Sequence, residues 1–457
     1  MRGKRRALAE RREIVGHTQE SLAEFVGVEP TTVGRWERGE CSPQPGVRRK
    51  LSEALKVSVE QLDALLAEGQ PVEEKPPGGA PQARELPASE PLDDRVLSAP
   101  WSHRGTILAA VVLRGGDLVK RRVFGSLTGL ALTAPAHQWL VHEPGPLVSG
   151  LAGRRVPARL VDRFTAMIAE LRRMDDVAGG GTVLSLAQHE FDLVAGLLDQ
   201  ASYNEHTGRA LYILLAELGQ LAGWTAYDGG DHPLAQRYWI AALRASHSAD
   251  ERLLGAHILA CMAEQAARQG QPAEAVTLIE TAMAGTRGQH TPALLAELYG
   301  KQAYAFATLG DTSGCAAANS QLRTQIERLG SANEPSYLYW VNPANMTGEV
   351  GNSLRQAGQA DRAVVVLDEA IALFDDSLPR DSMGYLIHLA KALAMPGKQR
   401  DLDAAAARGM EAIEIVESMD STRSVILIRD LCQQMAPHAK VPAVRDFVAR
   451  ARDLVAA

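Results

Sequence analysis

Residues 18–39, TQESLAEFVGVEPTTVGRWERG, read as a helix, a tight turn and a second helix. Thr18 stands where an N-cap is needed, with Ser21 three places on, and Leu22, Ala23 and Val26 follow at helical spacing. Gly27 ends that helix, since glycine takes the positive φ of a sharp turn without strain. Val28 plugs the angle between the helices, and Pro30 suits the first turn of the next one. Val33 and Trp36, at i and i+3, give the second helix its buried edge, so Trp36 belongs to the core. The opposite face carries Thr31, Thr32, Arg35 and Arg38. Arginine bonds guanine bidentately and threonine meets bases or thymine methyls, so this face suits base edges in the major groove of double-stranded DNA.

Thr18-Gln19-Glu20, Gly27-Val28, Thr32-Val33 and Arg35-Trp36-Glu37-Arg38-Gly39 together resemble the phage-repressor-like (XRE) helix-turn-helix family, over roughly residues 5–66. The resemblance implies that Gln19 touches a phosphate or base, and that Arg12 pairs with Glu37 to lock the first helix onto the recognition helix. Gly34 departs from the pattern, because many relatives carry a polar side chain there. One base contact is then missing.

Working outward, residues 1–56 hold 12 Lys/Arg against 8 Asp/Glu, a head of +4 on a body of −11 within a net charge of −7. That asymmetry fits a small phosphate-binding head on an acidic body. The chain of 457 residues, 46% hydrophobic and 5% aromatic, is long enough for several helix-rich domains. Cys41, Cys261, Cys315 and Cys432 are far apart and form no C-x-x-C pair, which suggests a reduced, cytoplasmic chain without a disulfide scaffold or metal site. Signal peptide and membrane-length apolar run are both lacking.

Residues 47–55 and 58–66 read as two more helices and complete a five-helix, lambda-repressor-like domain over residues 1–68. Residues 69–100, dense in Pro, Gly and charge, read as a flexible linker. Residues 101–204 form a helical connecting region, in which 156–174 and 182–198 pair through a turn at 175–181. Gly179-Gly180-Gly181 lacks the Lys and Ser/Thr of a nucleotide loop, so a plain turn is expected there. Arg121-Arg122-Val123-Phe124 imitates an export signal but lies far from the chain start; a basic helix start is the expectation.

Residues 205–457 repeat. Gly230, Gly270, Gly310 and Gly358 recur at 40, 40 and 48 residues, each closing one helix and opening the next. Gly223, Ala235, Trp239, Ala242 and Leu243 fall where a tetratricopeptide unit wants small and large side chains, as do Gly351, Leu354, Ala363, Leu367, Ala370 and Ile371. The second unit keeps Ala263, Ala275, Ile279 and Ala282; the third is weaker, with Cys315 in a small position. A fifth unit, about 379–417, lacks the recurring glycine, and 421–457 form a cap. The expected fold is therefore all-α: a helix-turn-helix head, a linker and a tetratricopeptide-like α-solenoid with a groove.

One face of each first helix should look into that groove, presenting Glu217, Gln220, Trp224 and Tyr227, then His257, Glu264 and Arg268, then Glu297 and Tyr304. Asn345, Asn352, Arg355 and Gln356 complete the bed and, with Trp224 and Tyr227 at its other end, are the chosen ligand-groove residues. Asn amides grip a peptide backbone, Arg holds a carboxylate and aromatics take an apolar group. His257 and Cys261 at i and i+4 lack evident further metal ligands, and no catalytic constellation, metal or cofactor is read from the sequence.

A phage-repressor-like head on such repeats resembles peptide-pheromone regulators of Gram-positive bacteria. It is more similar to long regulators of high-GC filamentous bacteria, through residues 117–122 (DLVKRR), Trp139-Leu140 and Ala216-Glu217-Leu218 to Gly223-Trp224. The resemblance implies a cytoplasmic homodimeric transcription regulator, not an enzyme, whose repeats dimerise and sense a peptide, small molecule or protein partner. The alternatives are an interaction scaffold with a vestigial or nonspecific DNA-binding head, and a hydrolase or ligase hidden in residues 101–200.

Overall fold

The computed structural model describes residues 8–9, 11–12, 15, 17–38, 41, 43, 45–55, 57, 62, 66, 95–114, 125–145, 150–151, 153, 155–178, 180–330, 334–374, 379–419 and 421–456. Among the described residues the protein is all-α apart from one two-residue antiparallel ladder and an isolated bridge between Arg155 and Ser202, and the chain divides into two compact units, Met1–Ala88 and Ser89–Ala457.

In the first unit, α1 (Gln19–Val26), α2 (Pro30–Glu37) and α3 (Pro45–Ala54) surround a core of Leu8, Leu22, Val26, Val33, Trp36 and Leu51. Thr18 and Ser21 form a reciprocal capping box, each side chain accepting the other's backbone N–H at 3.1 and 2.9 Å. Gly27 is left-handed at φ 81°, and the Gly27 and Val28 amides both return to the Ala23 carbonyl. Of the expected helix at 58–66, only Leu62 and Leu66 fall among the described residues, and both are buried.

The second unit begins with α4 (Arg95–Ser98), α5 (His103–Arg114) and α6 (Leu130–Val141). After β1 (Gly150–Leu151) come α7 (Ala158–Ala178) and α8 (Gly180–Gln200), then β2 (Ser202–Tyr203). Five hairpins follow: α9 (Glu205–Asp228) with α10 (His232–Ser248), α11 (Arg252–Arg268) with α12 (Pro272–Gly285), α13 (Pro292–Leu309) with α14 (Thr312–Ile326), α15 (Pro343–Gln356) with α16 (Ala360–Ala372), and α17 (Pro379–Ala394) with α18 (Leu402–Val416). The last described helices are α19 (Thr422–Met435) and α20 (Pro442–Ala456).

The same turn is built four times. Gly230, Gly270, Gly310 and Gly358 have φ of 83°, 76°, 79° and 75°, values an L side chain adopts only with strain. At each, the glycine amide and the next one donate back to the preceding helix, as in Gly230 to Tyr227 and Asp231 to Ala226. This satisfies carbonyls that the helix end leaves open. The residue after the glycine then starts the next helix; Asp231 and Asp311 accept from the Leu234 and Gly314 amides. The fifth hairpin turns differently, with the Asp401 amide on the Leu393 carbonyl. Between paired helices the small residues set the distance: a Cβ on Gly223 would lie 2.5 Å from the Trp239 ring, and one on Gly351 2.6 Å from Leu367.

The structure redraws the middle of the chain. No boundary separates residues 101–204 from the repeats; α8 packs along α9, and α5 and α6 pack on α10 and α12. Residues 95–100, expected to be linker, are held by Arg244, whose guanidinium donates to the Leu97 and Pro100 carbonyls. Residues 69–94 of the expected linker and the Arg121–Phe124 motif lie outside the described residues. The turn expected at 175–181 shrinks, because α7 runs on to Ala178 and α8 already starts at Gly180. Gly180 packs against the Thr225 carbonyl and donates its amide to buried Asp228 at 3.2 Å, so this glycine holds an anion belonging to the chain itself.

Finally, the stack returns on itself. Helix α7 packs against α17 and α9 against α19. What alternation alone suggests is an open trough; these contacts narrow it to a partly open cavity instead.

Candidate nucleic-acid interface and the enclosed cavity

In the head, α2 buries Val33, Gly34 and Trp36, which turns Thr31 and Arg35 outward, with Arg38 exposed just past the helix and Thr32 half-buried. Arg12 Nε donates to Glu37 Oε1 at 2.7 Å, and Arg12 Nη1 to the His17 carbonyl at 2.8 Å. Gln19 Nε2 donates to the other oxygen, Glu37 Oε2, at 2.6 Å. Glu37 is thus engaged on both oxygens, one towards the chain preceding α1 and the other towards the first residue of α1. A Cβ on Gly34 would lie 3.1 Å from Arg38 Nη1 and 3.3 Å from Gln19 Oε1. The space a larger residue would occupy is therefore filled by Gln19 and Arg38, which supply polar groups where Gly34 has none.

In the second unit the first helix of every hairpin turns one face to a single cavity of about 150 Å³. Its centre is charged. Glu264 on α11 accepts from Lys301 at 2.8 Å, Arg268 at 3.1 Å and Arg423 at 3.4 Å. Burial resists the charge of this carboxylate, but the three cations hold it well below the ordinary carboxylate range. Lys301 also bonds Glu349 at 3.0 Å and lies over the Trp340 ring. Arg423 of α19 reaches Asp228 of α9 at 3.0 Å while stacked over Trp224 and Tyr227, so one guanidinium bridges the late and early parts of the stack. Tyr339 makes a second bridge, donating to Asp176 of α7 at 2.7 Å.

The groove residues chosen from sequence separate. Trp224, Asn345 and Asn352 line the cavity. Tyr227 is buried behind it, against Trp224 and Trp239. Arg355 and Gln356 are in the last turn of α15 and are not part of the wall; Arg355 Nη2 donates to Asn352 Oδ1 at 2.9 Å. The Asn345 amide cannot serve as a peptide clamp as it stands, because Nδ2 already donates to the Trp340 carbonyl and to Asp381, both at 2.8 Å. Of the other groove-facing residues, Gln220, His257, Glu264, Arg268 and Glu297 are in the wall. Glu217 instead pairs with Arg172 at 3.0 Å, and Tyr304 lies under Arg268.

Lys301, Glu349, Arg423, Tyr337 and His388 are cavity residues that sequence reasoning passed over. Lys301 and Glu349 stand one turn beyond Glu297 and Asn345 on the same helix faces, a signal that was available. His257 and Cys261 gain a third neighbour in Glu297, their ligand atoms within 4.8 Å of one another. Glu297 is already bonded to His257 Nδ1 at 2.8 and 3.0 Å, and burial pushes the Cys261 thiol far up. The trio as it stands is a hydrogen-bonded histidine and glutamate beside a neutral thiol. From residues 101–200 the described wall takes Arg172, Asp175 and Asp176, all on α7.

Among the described residues no helix is long and apolar enough to cross a membrane. No curated protein matches the chain. Residues 8–62, by contrast, match the helix-turn-helix family model, and the amino-terminal unit carries an XRE-like helix-turn-helix.

Proposed function

We propose that the protein is a cytoplasmic, non-enzymatic transcription regulator: the head binds a specific DNA sequence, and the helical body dimerises and senses a small molecule in its cavity. The observation that carries this reading is the two-faced recognition helix. Val33 and Trp36 are buried while Thr31 and Arg35 point outward, in a segment that matches the helix-turn-helix family. A single head of this size covers one half-site, and specific binding in this motif class uses two heads about one turn of DNA apart. Dimerisation belongs to the body in this proposal, since the helical repeats offer far more surface than the head. Because closure of the stack leaves a chamber in place of a trough, a small molecule suits it better than an extended peptide.

The test is selection of bound sequences from random DNA by the full protein, followed by affinity measurements at several salt concentrations. A two-fold related motif is expected, with a steep salt dependence from phosphate contacts. Sedimentation at micromolar concentration should give a dimer. Equal affinity for all sequences would favour the scaffold alternative instead.

A further inference from the structure

Resting on the proposed sensing role, the chemistry of the cavity specifies what the effector must carry. Most charges in the wall are engaged: Glu264 and Glu349 by Lys301, Arg423 by Glu264, Asp176 by the Tyr339 hydroxyl, Asp381 by the Asn345 amide, and Glu297 by a hydrogen bond with His257. The corner between α15 and α17 is different. His388 lines the cavity, is 5% exposed, and its Nδ1 has no hydrogen-bond partner. The Nε of Arg355 is also buried without a partner, and its Nη2 reaches only the neutral Asn352 amide. Lys391, one turn beyond His388, has Asp430 no nearer than 3.9 Å. Burial lowers the proton affinity of Arg355, His388 and Lys391, and the charges acting on His388 are Arg355, Arg268, Lys391 and Arg423, all cationic. Burial and these charges keep the His388 imidazole neutral, while the Arg355 guanidinium beside it keeps a buried, unpartnered Nε, and a buried positive charge is costly unless something negative sits beside it.

We infer that the cavity receives a small organic anion whose carboxylate or phosphate lies beside His388 and Asn352 in the field of Arg355 and Arg423, and whose flat or apolar body meets the rings of Trp224, Tyr337 and Tyr385. The anion completes the corner: His388 in the tautomer with its proton on Nδ1 gains an acceptor, and the Arg355 guanidinium gains a counter-charge in a site of low dielectric, where charge-assisted bonds are strongest. The rings supply apolar area and orientation. This goes beyond the sensing role by fixing the sign of the ligand's charge and the end of the cavity that reads it.

The test uses the full chain with benzoate, phenyl phosphate, inorganic phosphate and benzylamine, which has the size of benzoate and the opposite charge. Binding is followed by calorimetry and by the shift of the thermal midpoint. Benzoate or phenyl phosphate should bind and raise the midpoint while benzylamine does neither; which of the two anions is tighter separates a carboxylate effector from a phosphate one. Arg355→Met and His388→Gln should each weaken the preferred anion at least tenfold. Arg355→Met without ligand should be no less stable than the parent, since it removes an uncompensated charge; were it to unfold, His388→Gln decides alone. Benzylamine binding as tightly as the anions, no binding of either aromatic anion, or unchanged affinity in the His388 variant overturns the inference, the last outcome meaning an adventitious ion only. DNA affinity of the same preparations separates the two readings: a chain that binds its DNA site but no anion refutes the inference alone.

Discussion

Arg35 is the residue on which specificity in the head should turn. It is exposed on α2, and its neighbours Val33 and Trp36 fix the helix that carries it. Arg35→Ala should cost about 1–3 kcal/mol on the selected site and flatten preference at one base position, with nonspecific binding nearly intact. A uniform loss on every sequence, measured on a panel of single-base variants, would make Arg35 a phosphate contact. Arg12 and Glu37 act on the fold of the head. Their side chains are 9% and 10% exposed, so removing one leaves a charge that is mostly buried, at a cost of about 3 kcal/mol. A double-mutant cycle in urea should return a coupling energy between them, and Gln19→Ala should weaken it by freeing Glu37 Oε2. Much of the head was legible because its signals are local: a cap, a left-handed glycine and an i, i+3 pair lie within a few residues of each other. The Gln19–Glu37 bond was not, since a glutamine at a helix start satisfies a base, a phosphate or a carboxylate equally well on paper.

Among the elements, α6 shows how far an element can matter beyond its own length. Its Trp139 is fully buried in a slot of the second hairpin, where Gly255 and Gly285 leave room that any Cβ would take from the ring. Arg252 lies over the same ring and donates to the Trp139 carbonyl at 2.8 Å. Trp139→Ala should lower stability by about 3–5 kcal/mol in thermal or denaturant unfolding, the range for emptying a large aromatic site in a packed core. Gly351→Val, which would drive a branched side chain into Leu367, should cost about 1–3 kcal/mol or shift the α15–α16 pair apart. The hairpins themselves were readable from four glycines, because a positive φ singles out glycine whatever surrounds it. The course of residues 101–204 was not: the partners of α5 and α6 lie far along the chain, and nothing in a local window distinguishes a connecting helix from one that packs on the repeats.

At the scale of the second unit, Arg423 is a principal tie of the closure, its guanidinium meeting both Asp228 and Glu264. Arg423→Met should leave Asp228, fully buried, short of its cation and loosen α19 from α9, at a cost of about 3 kcal/mol. Hydrogen exchange should then speed up in both helices together, although they are far apart in the chain; unchanged protection in α9 would show that apolar packing alone closes the stack. Acid offers a second handle. Glu264 is held below its ordinary value of 4.5, so its contribution is present above that pH and is lost as the pH falls through the folded value. Glu264→Gln should flatten the acid limb of the stability curve. Closure also constrains how such a molecule can change over generations. Open arrays lengthen or shorten by whole units with little penalty, because each unit touches only its neighbours. Here an inserted or deleted hairpin would carry α19 out of reach of Asp228, so the number of units is as fixed as the number of staves in a barrel, and variation is channelled into the side chains that line the chamber.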